Sequence, residues 1–257
     1  MASLIKRLRH HKVTKRDFKK YLTNAIFKEA IDNIEAGNNK HIQISKGTMK
    51  IEDRVFSYNK NLKSIIIPNQ TGCIGLATFL GCENLENIII PKGVTSIKNA
   101  LFSNCPKLKN FEIPKGVTSI GKDVFLKCRS LTSIEIPKGV TTIGLNAFDN
   151  CVNLESVIMP NELKNIEHHT FYNCMSLKNI DISNITYIGG FAFYNCKSLK
   201  SINIPNIMIN IGLNAFYKCH SLASIIIPDI YDFRIREIFK DVNLSKVEVY
   251  YIKSVYL

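Results

Sequence analysis

Cysteine and histidine are the residues of this chain with the most chemistry available to them, because thiolates and imidazoles bind metals and act as nucleophiles or bases. The 257-residue chain has eight cysteines and six histidines. Seven of the cysteines follow one another at intervals of 23 residues, with a single interval of 22: Cys82, Cys105, Cys128, Cys151, Cys174, Cys196 and Cys219. Cys73 stands outside this series. A constant interval of this length indicates one position of a structural repeat.

A repeated position of this kind is poorly suited to metal binding, disulfide formation or catalysis. Zinc ligands converge on one ion at about 2.3 Å, and the Cβ atoms of a disulfide lie about 3.8 Å apart. Side chains on successive coils of a stacked repeat point the same way, about 5 Å apart. His168 and His169 have no Cys, Asp or Glu at ligand or triad spacing. We therefore predict buried, reduced thiols, no catalytic or metal-binding residue, no cofactor, and a protein that is not an enzyme.

Three further residue types repeat in step with the cysteines. A Phe stands three residues before each of the seven, a Leu six residues after that Phe, and an Ile five residues before it. The phenylalanine series is Phe56, Phe79, Phe102, Phe125, Phe148, Phe171, Phe193, Phe216 and Phe239. Because several columns agree on one period, the chain is predicted to be a repeat protein.

Each unit is predicted to hold a strand, a second short extended segment and a helical turn. The run 88–90 alternates inward and outward as a strand does, and Pro91 ends it because proline removes a backbone donor. Steps of four, four and three residues from Ile97 to Leu108 predict the short helical turn. One unit is too small to bury its apolar face alone, so the units must stack. The predicted fold is an α/β solenoid of about ten coils, with parallel strands on one face and a length near 50 Å.

The repeat resembles the BspA-like leucine-rich-repeat family, whose unit has an L-x-x-L-x-L-P strand followed by I-G and A-F-x-x-C. The segments N-A-F-D-N-C at 146–151 and N-A-F-Y-K-C at 214–219 match it closely. The resemblance covers about His41 to Tyr250. It implies a right-handed leucine-rich-repeat solenoid of 23-residue coils that binds other molecules rather than catalysing reactions. Family members occur as surface and adhesion proteins in bacteria, protist parasites and large DNA viruses.

The formal net charge of +13 has its densest part at the start of the chain. The first 20 residues carry eight Lys or Arg and one Asp, and they lack the apolar stretch of a signal peptide. The chain has no run of 18 or more apolar residues, so the sequence predicts no membrane-spanning helix. These patterns do not determine the cellular compartment, although the reduced thiols favour an intracellular environment.

Four segments follow from these patterns. Residues 1–13 are predicted to be a basic mobile tail and 14–40 an N-terminal capping helix, 41–228 the repeats, and 229–257 a degenerate repeat with a C-terminal cap. A solenoid needs such caps because its ends expose core. An alternative for the basic N-terminus is contact with nucleic acid or an anionic membrane, and we expect such partners only there.

The outward positions of the strand face are the candidate binding residues. The residue between the two inward strand residues is Ile66, Ile89, Glu112, Glu135, Ile158, Asp181, Asn203 or Ile226 in successive units. Lys92, Lys115 and Lys138 follow the proline of three units. Apolar patches would supply contact area and charges specificity for a protein partner. The alternative is that these rows are copied with the repeat and bind nothing.

Two functional hypotheses remain at this point. The first is a monomeric protein-protein interaction module that binds through the strand face. The second is a structural or surface-coat component of a cell or virion that acts by self-association or adhesion. We expect the monomer.

Overall fold

The structure, a computed structural model, describes residues 40–253. The predicted basic tail 1–13, nearly all of the predicted capping helix 14–40, and residues 254–257 lie outside this range. The described strands are β1 His41–Gln43, β2 Lys50–Ile51, β3 Ser64–Ile66, β4 Cys73–Ile74, β5 Asn87–Ile88, β6 Ser96–Ile97, β7 Ser119–Ile120, β8 Ser133–Glu135, β9 Thr142–Ile143, β10 Ser156–Ile158, β11 Asn165–Ile166, β12 Asn179–Ile180, β13 Tyr187–Ile188, β14 Ser201–Asn203, β15 Asn210–Ile211, β16 Ser224–Pro228 and β17 Glu248–Ile252.

These strands form two parallel rows, because nearly every coil contributes one strand to each row. The first row consists of the sheets β1-β3-β5, β8-β10-β12 and β14-β16-β17, and the second of β2-β4, β6-β7-β9 and β11-β13-β15. Residues 23 apart are paired, such as Ile42 with Ile65 and Val157 with Ile134. From β1 to β17 the first row has ten positions, counting a bridge at Asn110, and they bound nine turns of the chain. The predicted solenoid of stacked 23-residue coils is confirmed.

The core between the two rows contains one continuous stack of phenylalanine rings. All nine rings of the predicted series are buried. Consecutive ring centroids are 5.0–5.8 Å apart, as from Phe216 to Phe239 and from Phe102 to Phe125. The interplanar angles between them stay between 3° and 17°. The stack runs parallel to the solenoid axis and sets the distance between coils.

The first row is interrupted where a phenylalanine replaces an aliphatic strand residue. Phe111 occupies the inward position that Ile88 and Ile134 fill in the neighbouring coils. Its ring contacts Phe102 and Phe125 with centroids 4.8 and 5.1 Å away. Only the isolated bridge between Asn87 and Asn110 keeps this coil in the sheet. The larger ring accounts for the loss of regular pairing because it needs more room than isoleucine.

The segment predicted as a helical turn is a run of tight turns rather than a helix. Each coil places two residues in the left-handed region of φ there, as at Asn146 (56°) and Asn150 (58°) in one coil. Backbone hydrogen bonds run from Phe148 N to Thr170 O of the next coil, 2.9 Å. These bonds replace the i to i−4 bonds of a helix, so the segment stacks on its neighbours as the strands do.

The last coil differs from the others. A 3-10 helix, Asp229–Arg234, continues directly into the α-helix α1, Ile235–Ile238, and a second 3-10 helix, Leu244–Lys246, precedes β17. Phe239 ends the ring stack, and Tyr231 donates a hydrogen bond to Met208 O at 3.1 Å. The segment closes one end of the core. No helix within residues 40–253 is long and apolar enough to cross a membrane.

Candidate partner-binding surface

The outward face of the first row is built by the alternation of its strands. In β8 the middle residue, Ile134, is buried while Ser133 and Glu135 are exposed. In β10 Val157 is buried between exposed Ser156 and Ile158. Because the strands pair in register, the exposed residues form straight columns across the sheet. We call this surface the strand face.

The structure places the predicted binding residues as two neighbouring columns. All of them are exposed except Ile226, which is half-buried. The first column holds Ile66, Ile89, Glu112, Glu135, Ile158, Asp181, Asn203 and Ile226, and the second holds Lys92, Lys115 and Lys138. The columns lie on either side of the bend that contains a proline in most coils and a serine, Ser45 or Ser183, in two.

The first column exposes large apolar side chains toward both ends of the strand face. Ile66 and Ile89 lie on adjacent coils and are 62% and 84% exposed. Further along, Ile158 is 61% exposed. At the C-terminal end Ile226 pairs with Tyr250, which is 53% exposed. Ile66 and Ile89 thus form a small exposed apolar patch on adjacent coils.

The acidic residues of the column separate these apolar groups. Glu135 is directly beside Ile158 in the register of β8 and β10. Asp181 accepts a hydrogen bond from Ser183 N at 2.9 Å, which fixes its carboxylate at the end of β12. Glu112 belongs to the coil interrupted at Phe111. The arrangement can offer apolar contact and charge selection on one rigid sheet.

One surface feature that the sequence analysis missed is an aromatic ladder on the outer turns. Tyr172, Tyr194 and Tyr217 stack with centroids 4.5 and 5.3 Å apart. Lys218 lies 5.7 and 5.5 Å above the rings of Tyr194 and Tyr217, and its hydrogen bond to Tyr194 raises its pKa. Each tyrosine directly follows a column phenylalanine, so the period could have revealed the ladder. The rings are half-buried against each other, and this supports a role in coil stacking.

A second missed feature is an apolar cluster close to the C-terminal end. Ile207, Ile209, Leu213 and Phe233 are 48%, 79%, 55% and 84% exposed. The 3-10 helix that carries Phe233 packs on the coil of Ile209, as the bond from Tyr231 to that coil shows. The repeat pattern did not single out Ile207 and Ile209, because their outward positions hold polar residues or glycine in most other coils, whereas Leu213 shares its position with Leu76 and Leu145.

The thiols of the cysteine column have a structural partner. Each Sγ donates a hydrogen bond to the carbonyl oxygen of a phenylalanine in the preceding coil, for example Cys128 to Phe102 at 3.2 Å and Cys151 to Phe125 at 3.1 Å. Burial raises the pKa of Cys128 to about 12, so the thiol keeps the proton that it donates. Cys73 is half-buried and outside the column. Within residues 40–253 no group of three or more His, Cys, Asp or Glu side chains could hold a metal ion.

The fold and the columns can now be compared with known proteins. The sequence model of the BspA type leucine rich repeat region matches residues 34–155 and 118–246, in six copies. The chain belongs to the BspA-type leucine-rich repeat family. A comparison with curated protein sequences finds no match.

Three crystal structures of bacterial proteins share the solenoid. A leucine rich cell surface protein of Faecalibacterium prausnitzii is 28% identical with a TM-score of 0.60, over 75% of this chain and 64% of its own. The leucine rich repeat protein of T. pallidum is 25% identical with a TM-score of 0.57, over 79% of this chain and 84% of its own. One from Eubacterium ventriosum, 24% identical with a TM-score of 0.51, covers 70% and 59% and shows the fold alone.

These comparisons describe the class of the molecule. The chain spans less than two thirds of the length of the Faecalibacterium and Eubacterium proteins. The family and its neighbours are repeat proteins of a kind that typically serves at surfaces or in protein interactions.

Proposed function

We propose that this BspA-type repeat protein is a non-enzymatic interaction module that binds a protein partner through its strand face. The observation that carries the proposal is the exposure of Ile66, Ile89 and Ile158 on a sheet whose pairing holds them in fixed positions. A rigid surface loses little conformational entropy on binding, so its apolar area contributes to affinity with a smaller opposing cost. The acidic residues of the same column and the neighbouring column of lysines provide selection by charge.

The test is affinity capture with the wild-type protein beside a variant in which Ile66, Ile89 and Ile158 are serine. We expect the variant to keep its fold, because the three side chains point to solvent, and to lose the partner. The matched control replaces Met49, Leu76 and Leu145 by serine. These residues are also exposed, at 65%, 37% and 37%, and lie outside the strand face. Identical partners for the strand-face variant and the wild type would rule out this surface.

The second candidate is a structural or surface-coat component that acts by self-association or adhesion. It is favoured by the exposed cluster of Ile207, Ile209, Leu213 and Phe233, since large apolar patches mark association sites. Similarity to a cell surface protein agrees with it. Size-exclusion chromatography with light scattering decides between the candidates. Oligomers that dissociate when Phe233→Ser and Ile209→Ser are introduced would support self-association. A wild-type protein that is monomeric at tens of micromolar would contradict it.

A further inference from the structure

Three consecutive coils have the same five-residue sequence after the strand position of the first row. Residues 91–95, 114–118 and 137–141 all read Pro-Lys-Gly-Val-Thr. In each the Val is buried and the Lys, Gly and Thr are exposed. The other coils do not contain this sequence. Three lysines in the same sequence context therefore lie on neighbouring coils, and we call them the lysine ladder: Lys92, Lys115 and Lys138. The backbone differs after Lys138, because Gly139 has a φ of 97°.

The geometry of the ladder is fixed by the pairing beside it. Strands β6, β7 and β9 pair in register, with Ser96 opposite Ser119 and Ser119 opposite Thr142. Thr118 N donates to Thr95 O at 2.9 Å, and Thr141 N donates to Thr118 O at 3.1 Å. Coils in register repeat at about 4.8 Å. The three lysine side chains therefore start from the backbone about 4.8 Å apart, along one edge of the strand face.

The ladder has no compensating anion of its own. None of its three lysines forms an ion pair within 4.0 Å in the described part of the chain, whereas Lys178 pairs with Glu155 at 2.5 Å. Like charges at this spacing repel one another. A ligand that carries several anionic groups along one line would relieve the repulsion. The glycine after each lysine leaves the approach open, because a glycine has no side chain to block it.

The surroundings of the ladder distinguish among anionic ligands. Glu112 and Glu135 stand three residues before Lys115 and Lys138, where they would repel the continuous charge of a nucleic-acid backbone. No aromatic side chain in the ladder could stack on a base. The exposed Ile66 and Ile89 suit apolar side chains of a polypeptide. An extended peptide sends alternate side chains to one side, so it can direct carboxylates to the lysines and other groups elsewhere.

We propose that the lysine ladder binds an extended acidic segment of the protein partner, lying along the solenoid axis. This inference rests on the proposed function and specifies the chemistry of its partner. The segment places at least three carboxylates on one side. Same-side residues of an extended chain are about 6.8 Å apart, so the long lysine side chains spread from their spacing of about 4.8 Å to reach them. Contacts of this kind are exposed, so they determine selectivity and association rate and weaken with salt.

The test measures binding of a fluorescent 12-residue peptide of alternating Glu and Ser by anisotropy, with the full chain, at low and at physiological salt. The variant replaces Lys92, Lys115 and Lys138 by glutamine. We expect its affinity to fall on the order of tenfold, as three exposed ion pairs would give. The matched control replaces Lys98, Lys197 and Lys246 by glutamine. These three are also exposed and remove the same charge, but they are scattered over the molecule. The control should retain the wild-type affinity within about twofold.

Three outcomes would overturn the inference. One is equal loss in both variants, which would mean a response to net charge. Another is equal binding of the matching peptide with Gln in place of Glu. The third is equal or tighter binding of a 12-nucleotide oligothymidine, which would make the ladder a nucleic-acid site. Failure of this inference can be distinguished from failure of the proposed function. If capture of the partner survives the lysine substitutions but is lost when Ile66, Ile89 and Ile158 are replaced by serine, the strand face binds the partner and only the proposal of an acidic segment is wrong.

Discussion

The phenylalanine column shows how one residue type determines the repeat at the scale of a single side chain. Each ring except the two at the ends of the stack, Phe56 and Phe239, lies between two others. Parallel stacking at about 5.5 Å fits the spacing that the strands impose, as for Phe148 and Phe171. A smaller side chain would leave a void along the axis, because both neighbours are held by their own coils. The column could be predicted from the sequence, since it needs only the period and the apolar character of the residue.

Replacing one ring should therefore destabilise the protein strongly. Phe148 is fully buried and stacks on Phe125 and Phe171 at 5.3 and 5.5 Å. We expect Phe148→Ala to lower the free energy of unfolding by about 3–5 kcal/mol through the cavity that it leaves. Glu135→Ala, on an exposed position of the same coil, should change it by less than about 0.5 kcal/mol. Urea denaturation measures both, and equal losses would refute the assignment of inward and outward positions.

The cysteine column combines small size with a hydrogen-bond donor. The Phe102 carbonyl oxygen accepts a hydrogen bond from Cys105 N, and the Cys128 thiol supplies a second donor without the hydration cost of a hydroxyl. The sequence predicted that these thiols are buried. It could not predict their acceptors, because the acceptor lies 26 residues away and depends on how the coils stack.

Burial of these thiols makes stability depend on alkaline pH. Burial raises the pKa of Cys128 to about 12 from an ordinary 9.0, so the unfolded chain loses the proton first. The stabilisation is complete below pH 9 and declines as the pH rises toward 12. One thiol then contributes a loss on the order of 1 kcal/mol between pH 8 and pH 10. Comparison with Cys128→Ala by urea denaturation isolates it, because all other groups titrate in both proteins. Parallel pH profiles would contradict the prediction.

At the scale of the element, the outer turns show where sequence patterns mislead. The steps of four, four and three residues are typical of a helix, yet the segment is a series of turns. The same apolar spacing buries the same residues in both conformations, so the pattern cannot separate them. The left-handed residues carry the missing signal: Asn104, Asn150, Asn173 and Asn195 precede the column cysteines, and asparagine tolerates positive φ better than most residues.

Glycine at the bend before these turns lets neighbouring coils approach closely. A Cβ atom added to Gly144 would lie 2.6 Å from Lys122 N of the preceding coil. Backbone atoms cannot move aside as a flexible side chain can. In contrast, a Cβ atom on Gly116 would meet Lys92 O at 3.5 Å, an ordinary contact. The two glycines therefore differ in what they permit, although both lie at bends of the coil.

Alanine substitutions should separate the two glycines. We expect Gly144→Ala to lower the free energy of unfolding by about 1–3 kcal/mol, because the coils must move apart. Gly116→Ala should be neutral or stabilising by up to about 1 kcal/mol, since it reduces the freedom of the unfolded chain. Thermal and urea denaturation of the two variants provide the comparison. Equal effects would show that the coils at Gly144 adjust without cost.

At the scale of the whole molecule, most contacts join a coil to its two neighbours. The sequence predicted this architecture, because stacked repeats of one length generate it. It predicted the two candidate columns as well, since outward positions follow from strand alternation. It could not predict which exposed residues form an apolar cluster at Phe233, because that coil departs from the repeat and its conformation depends on the end of the solenoid.

Because a coil contacts mainly its two neighbours, we expect the loss of local stability to extend outward from the altered coil. Its extent should depend on the place of that coil along the axis. Phe148 has rings on both sides, whereas Phe239 has only Phe216, at 5.0 Å. Stability in such arrays is a sum of coil and interface contributions. We expect Phe239→Ala to increase amide hydrogen exchange mainly in the last two coils. Phe148→Ala should increase exchange on both sides of the centre. Mass spectrometry of exchanged peptides resolves the coils, and a uniform increase along the chain in both variants would mean that the solenoid unfolds as a single unit.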